Sequence, residues 1–222
     1  MLQSATLKFL KDIKKNNSKE WMDANRSAYE NAKQDFLSFT HALLVGISAF
    51  DASIEESNLE PKNCVNRLNR DIRFSKDKTP YKTNFFAMVS KNGKKGNDAA
   101  YYFQLEPGKS FAGGGVYMPM PPELYKFRQE IDYSFDEWKK LVESKSFKKV
   151  FDKGVLSPDN LVRVPKGFEE DSPAINYLKM KGFYAVSNIT DEVLQSKNAV
   201  KTILQHFETV KPMNDFLNRA LS

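Results

Sequence analysis

The spacing of apolar residues changes twice along this chain, and that change limits the fold more than any single motif. From Arg26 to Phe50, Tyr29, Ala32, Phe36, Phe39, Leu43 and Ile47 recur at steps of three and four, which predicts one long helix with a broad buried face. Before it, Leu7, Leu10 and Ile13 with Phe9 predict a shorter helix, broken by Asn-Asn-Ser at 16–18. Between 85 and 118 the texture becomes aromatic and β-branched. FFAMVSKNG, AAYYFQLEPG and KSFAGGGVYM are separated by Asn-Gly, Asn-Asp and Pro-Gly turn signals, the pattern of an antiparallel meander. The helical period then returns. Pro121 and Pro122 open a helix, SFDEWKKLVES and SFKKVFDKG predict two short ones, and DSPAINYLKMKGF predicts another closed by Gly182. LVRVPKGF reads as a short strand and FYAVSNIT as the last one. Val200, Ile203, Leu204 and Phe207 mark a C-terminal helix that Pro212 should end or restart. Helices at both ends of a run of strands imply an α+β fold: a central, mostly antiparallel sheet over 64–118, packed by the helix through Phe36 and Leu43 and by the one through Ile203 and Phe207.

With 222 residues and 41% hydrophobic content, the chain can bury a substantial core, and no linker or repeat divides it, so one domain over 1–222 is expected. ALLVGISAF at 42–50 is far short of the roughly 20 apolar residues of a membrane span. Lys8, Lys11 and Asp12 interrupt the place where a secretory signal would need its apolar segment, and the single cysteine, Cys64, suits a reducing compartment. A cytoplasmic location without membrane contact is the expectation. Gly113, Gly114 and Gly115 inside the third strand mark a bulge or a close approach of another backbone; a phosphate cradle is the sharper alternative, although no Lys-Ser or Lys-Thr follows.

The formal net charge is +6, and much of it sits in RLNRDIRFSKDKTPYK at 67–82, where six cations meet two aspartates. A local excess of +4 builds a potential able to draw in an anion. Read as a strand, the segment places Arg70 with Leu68, Ile72 and Phe74 on one face and Arg67, Asn69, Asp71 and Arg73 on the other. Asp71 could then orient the guanidinium forks of both Arg67 and Arg73 for bidentate capture of a phosphate or carboxylate, with Lys78 and Tyr81 nearby. Equally, the same residues could form an Arg–Asp–Arg ladder that only ties the fold together.

This stretch resembles the signature of the domain of unknown function 2461 family, Arg-x-x-Arg-Asp-x-Arg-Phe followed by a Lys and a Tyr, here Arg67, Arg70, Asp71, Arg73, Phe74, Lys78 and Tyr81. FLKDIKKNNSKEWMDANRSAYE, YYFQLEPG, FAGGGVYMP, VPKGF and YLKMKGF also fit the family's pattern. The resemblance implies one family fold and brings no activity with it.

His41 and His206 lack the spacing of a zinc site, and neither a nucleophile elbow nor a nucleotide-binding glycine loop is present, so neither metal nor cofactor is expected and no catalytic residue is assigned. Three functions follow from the basic stretch. One is binding of a small phosphate- or carboxylate-bearing ligand, or enzymatic action on such a metabolite, by Arg67, Arg70, Arg73, Lys78 and Tyr81 with Asp71 as positioner. The second is a structural or partner-binding protein with an internally satisfied Arg/Asp cluster. The third is a nucleic-acid-binding module that uses Lys76, Lys78 and Lys82 on phosphates and exposed aromatics on bases.

Overall fold

The computed structural model describes residues 1–221. Its N-terminal part is helical: α1 (Ser4–Lys15), α2 (Lys19–Ala24), α3 (Arg26–Ser48) and the short α4 (Ala52–Glu56) and α5 (Pro61–Cys64). Local chemistry sets the boundaries. The Ser18 hydroxyl accepts from the Trp21 N–H to start α2, the Asp51 carboxylate accepts from the Ser53 N–H to start α4, and Glu60 and Asn63 cap α5 reciprocally. Strands β1 (Phe85–Val89), β2 (Ala100–Leu105) and β3 (Ser110–Val116) follow, then helices α6 (Pro121–Tyr133), α7 (Phe135–Val142), α8 (Lys145–Val150) and α9 (Ile175–Leu178), strand β4 (Phe183–Ile189), and helices α10 (Asp191–Gln195) and α11 (Ala199–Arg219).

The sheet runs β1-β2-β3-β4 with every neighbour antiparallel, which makes the fold α+β as the period change predicted. Register divides its two faces. Phe85, Ala87, Val89, Tyr101, Phe103, Leu105, Ala112, Phe183 and Ala185 are buried on the face covered by α3 and α11. The rings of Phe36 and Phe85 stack at 5.1 Å between centroids, Phe39 meets Phe103 at 5.4 Å, and Tyr101 meets Phe207 at 5.2 Å. Burying several such aromatics, at up to about 3 kcal/mol each, is the main force holding α3 and α11 to the sheet. The other face carries Phe86, Met88, Phe111, Tyr184 and Val186, all only partly buried.

The glycine triplet is a close-approach device. A Cβ on Gly114 would lie 2.6 Å from the Ala100 carbonyl oxygen and 3.0 Å from Val210 Cγ1 on α11, so its absence lets the helix sit down on the strand. Gly115, at φ +120°, adopts a conformation closed to other residues. On the opposite face, Tyr102, paired with Gly113, donates its phenol hydrogen to the Gly115 carbonyl.

Four local expectations are overturned. The helix in DSPAINYLKMKGF is only the four residues of α9, capped at Lys179, so Gly182 does not close it but leads into β4. Pro212 neither ends nor restarts α11, which runs through it because Val210, Met213, Phe216 and Leu217 bury both flanking turns and outweigh the missing hydrogen bond. LVRVPKGF is loop rather than strand; the nearest pairing is one isolated bridge, Asn160 to Met180. Residues 64–74 form no regular strand. No helix among the described residues is long and apolar enough to cross a membrane.

Candidate functional site

The basic stretch is an irregular ribbon that leaves the free edge of β1 and folds back on itself. Val65 bridges Ala87, the Asn66 N–H donates to the Phe86 carbonyl at 2.9 Å, and Lys82 N–H donates to Leu68 carbonyl at 2.8 Å. A second bridge, Asn69 to Tyr81, and the Arg70 N–H to Pro80 carbonyl bond at 2.9 Å close the neck of the loop. The alternation expected of a strand is lost beyond this neck. Leu68 is buried, Ile72 is half-buried, and Phe74 is 95% exposed.

Side chains shape the tip. Arg70 donates to the Asp77 carboxylate and to the Thr79 hydroxyl, with Ser75 Oγ at 3.5 Å from its other terminal nitrogen. Asp77 in turn accepts the Thr79 N–H at 2.9 Å. That backbone bond first, then Arg70 and the Thr79 hydroxyl, hold the Asp77 carboxyl down to about 2. Arg73 is held separately by Asp71, with Nε to Oδ1 at 2.9 Å and a terminal nitrogen to Oδ2 at 2.7 Å. The Arg73 guanidinium, followed by the Arg73 N–H, keeps the Asp71 carboxyl below the usual carboxylate range. The two forks therefore rest on different carboxylates, and Asp71 holds Arg73 alone rather than both of its arginine neighbours.

The remaining site candidates scatter around this frame. Arg67 makes no side-chain hydrogen bond or ion pair among the described residues, and its carbonyl accepts from Lys82 Nζ at 3.1 Å. Lys78 Nζ donates to the Ile72 carbonyl at 3.0 Å, which clips the turn from the other side. Tyr81 is buried at the base, where Asn17 holds its backbone at both ends: the Tyr81 N–H donates to Asn17 Oδ1 at 3.0 Å and its carbonyl accepts from Asn17 Nδ2 at 2.9 Å. The α1–α2 turn thus anchors the ribbon to the body. Sequence reasoning paired Asp71 with Arg73 but missed the acceptors of Arg70. Asp77 and Thr79, two residues apart and seven and nine beyond Arg70, are the signal for a side-chain-closed turn.

A concavity lies elsewhere, on the uncovered sheet face. It encloses about 660 Å³ between the turn that holds Asn97 and Asp98 and the segment Tyr117–Pro119, with Phe86, Phe111, Tyr184 and Val186 among its lining and Lys94 at its edge. Cys64 is buried, and burial pushes its thiol up to about 11, which makes it a poor nucleophile at neutral pH. His206 is likewise a packed residue: its Nδ1 lies 2.7 Å from the Thr202 carbonyl, and burial lowers its pKa. Among the described residues no group of three or more His, Cys, Asp or Glu side chains converges as metal ligands would.

Comparison with known proteins agrees with the signature at 67–81. The family of conserved hypothetical proteins DUF2461 matches residues 5–216, and the chain belongs to that family. No curated protein and no solved structure matches it.

Proposed function

We propose that this DUF2461 protein binds a protein partner through the 67–82 ribbon, whose Arg–Asp pairs are braces rather than ligand donors. The observation that carries this reading is Phe74, 95% exposed at the tip of a loop whose forks Arg70 and Arg73 already rest on Asp77 and Asp71. An aromatic ring beside an arginine is the usual composition of a binding hot spot, and the Arg73 guanidinium lies 5.8 Å from the Phe74 ring centroid. A loop braced in advance loses little freedom on docking. With a local excess of +4 charges, the complementary surface is acidic. A convex tip with one ring suits a recess in a protein better than a nucleic-acid strand, which calls for a groove with successive stacking platforms. The small-anion reading, with Arg67, Arg70, Arg73, Lys78 and Tyr81 around a phosphate or carboxylate, requires both forks to leave their carboxylates and ranks behind.

Photocrosslinking from position 74 tests the proposal. Benzoylphenylalanine in place of Phe74, irradiated in native cell extract, should give a discrete protein adduct. Placed at Val162, which is 92% exposed, it should give none. The adduct should weaken with salt and disappear in the Lys76→Glu, Arg67→Glu background. A nuclease-sensitive adduct would transfer the ribbon to nucleic acid. Absence of any adduct, together with calorimetric binding of pyrophosphate that is lost in Arg70→Lys, would restore the small-anion reading.

A further inference from the structure

The groove on the uncovered sheet face has properties that the ribbon does not share. Its volume, about 660 Å³, falls in the range of about 300–1,000 Å³ typical of sites that enclose small molecules. Its floor is the sheet face, lined by Phe86, Phe111, Tyr184 and Val186, with the Phe86 and Phe111 rings inclined at 63° to each other. Met118, 70% exposed, and Tyr117, 53% exposed, stand along one wall and extend the apolar surface. Exposed large apolar residues scattered singly need no explanation, but these are contiguous with a concave aromatic floor.

The charges at the rim decide what the groove can accept. Among the described residues Lys94 is its only lining cation. Its Nζ donates to the Lys62 carbonyl at 3.0 Å and to the Val65 carbonyl at 2.6 Å, and it has no carboxylate partner among the described residues. An ammonium has three donors, so two carbonyls fix its position and leave one hydrogen and a full charge to offer. The only lining carboxylate among the described residues, Asp98, is buried and already engaged: it accepts from Asn92 Nδ2 at 2.7 Å and pairs with Lys91 Nζ at 3.5 Å. The groove thus combines an apolar, aromatic floor with one pre-positioned positive charge that no carboxylate among the described residues compensates.

We infer that this groove binds a small molecule with an apolar aromatic body and a single carboxylate, the body packed against the aromatic floor and the carboxylate paired with Lys94. The inference is independent of the ribbon and of any protein partner. 2-Naphthoate and its neutral isostere 2-naphthamide, titrated calorimetrically against the full chain, are suitable probes. The carboxylate should bind at least about tenfold more tightly than the amide, as a full ion pair with the ammonium replaces a hydrogen bond from the ammonium to a neutral carbonyl. Lys94→Met should erase that difference. Val186→Trp, which fills the groove from a partly exposed sheet position, should abolish binding of both while the melting temperature stays unchanged. If Lys94→Met loses the fold because its two carbonyl contacts are gone, the wild-type comparison and Val186→Trp still decide. Equal affinities for the two probes, naphthoate binding that survives Val186→Trp, or no binding up to about 1 mM would each overturn the inference.

Discussion

Replacing Gly114 by alanine tests the packing on which both faces of the sheet depend. The added methyl would lie 2.6 Å from the Ala100 carbonyl oxygen, 2.9 Å from Asn214 Nδ2 and 3.0 Å from Val210 Cγ1. The first contact is with backbone in the β2–β3 ladder and cannot yield without loosening the Ala100–Gly115 pairing. The other two belong to α11, which would have to rise from the sheet where Val210, Met213 and Leu217 are buried. Overpacking of this kind costs about 1–3 kcal/mol, and the rigid backbone contact places Gly114→Ala near about 3 kcal/mol. Gly108→Ala is the control. Nothing lies within 4 Å of its Cβ, so only its φ of +72° opposes the change, at about 1 kcal/mol. Each kcal/mol lowers the melting temperature of a chain this long by about 2–4 °C, so Gly114→Ala should melt about 6–12 °C below wild type and Gly108→Ala about 2–4 °C below. Differential scanning calorimetry, supported by urea titration, reads both. A Gly114→Ala protein melting with the wild type, or below it by no more than Gly108→Ala, would refute the close-approach account.

Other outcomes follow from the ribbon and the core. Arg70→Ala removes the donor shared by Asp77 and Thr79, so trypsin should cut between 67 and 82 several times faster with global melting unchanged, whereas Lys76→Ala, at a side chain with no partner among the described residues, should leave the remaining sites as resistant as before. The Asp77 carboxyl is depressed in the folded state, so the order it provides is present above the ordinary carboxylate range near 4 and lost as pH falls through about 2. Pepsin resistance of the ribbon should accordingly persist at about pH 3.5 and fail towards pH 2, with Asp77→Asn cut readily at both. Cys64 should escape iodoacetamide at pH 8.5 in the native protein and react in urea. Because its folded pKa is raised by burial to about 11, its contribution to stability is present below the unfolded thiol range near 9 and lost as pH rises through about 11.

Periodicity made the scaffold legible because it reports burial directly. Phe36, Phe39, Leu43 and Ile47 are all buried on α3, and the meander pairs in the order in which its segments appear. Rules about single residues failed where packing outweighs local preference, as at Pro212, whose cost is offset by the buried turns on either side. The ribbon failed for another reason. Leu68, Ile72 and Phe74 alternate as in a strand, but β1 offers this segment only isolated bridges, and Asp71, Asp77 and Thr79 supply nearby acceptors that close the turn instead. Charge clustering was readable, whereas which fork meets which carboxylate depends on the turn and was not.

The groove was concealed by the same signal that revealed the sheet. Phe86, Phe111 and Tyr184 are indistinguishable in composition from Phe85, Phe103 and Phe183, and a count of aromatics assigns them all to the core. Alternation separates them. Phe85-Phe86 and Tyr101-Tyr102-Phe103 put large rings on both faces of adjacent strands, yet α3 and α11 cover only the face that holds Phe85, Tyr101 and Phe103. A solvent-facing side of an antiparallel sheet is ordinarily polar, so rings at successive positions mark the second face as a surface built to be covered. With α3 and α11 committed to the first face, the carboxylate-bearing molecule inferred above is the cover we propose for the second.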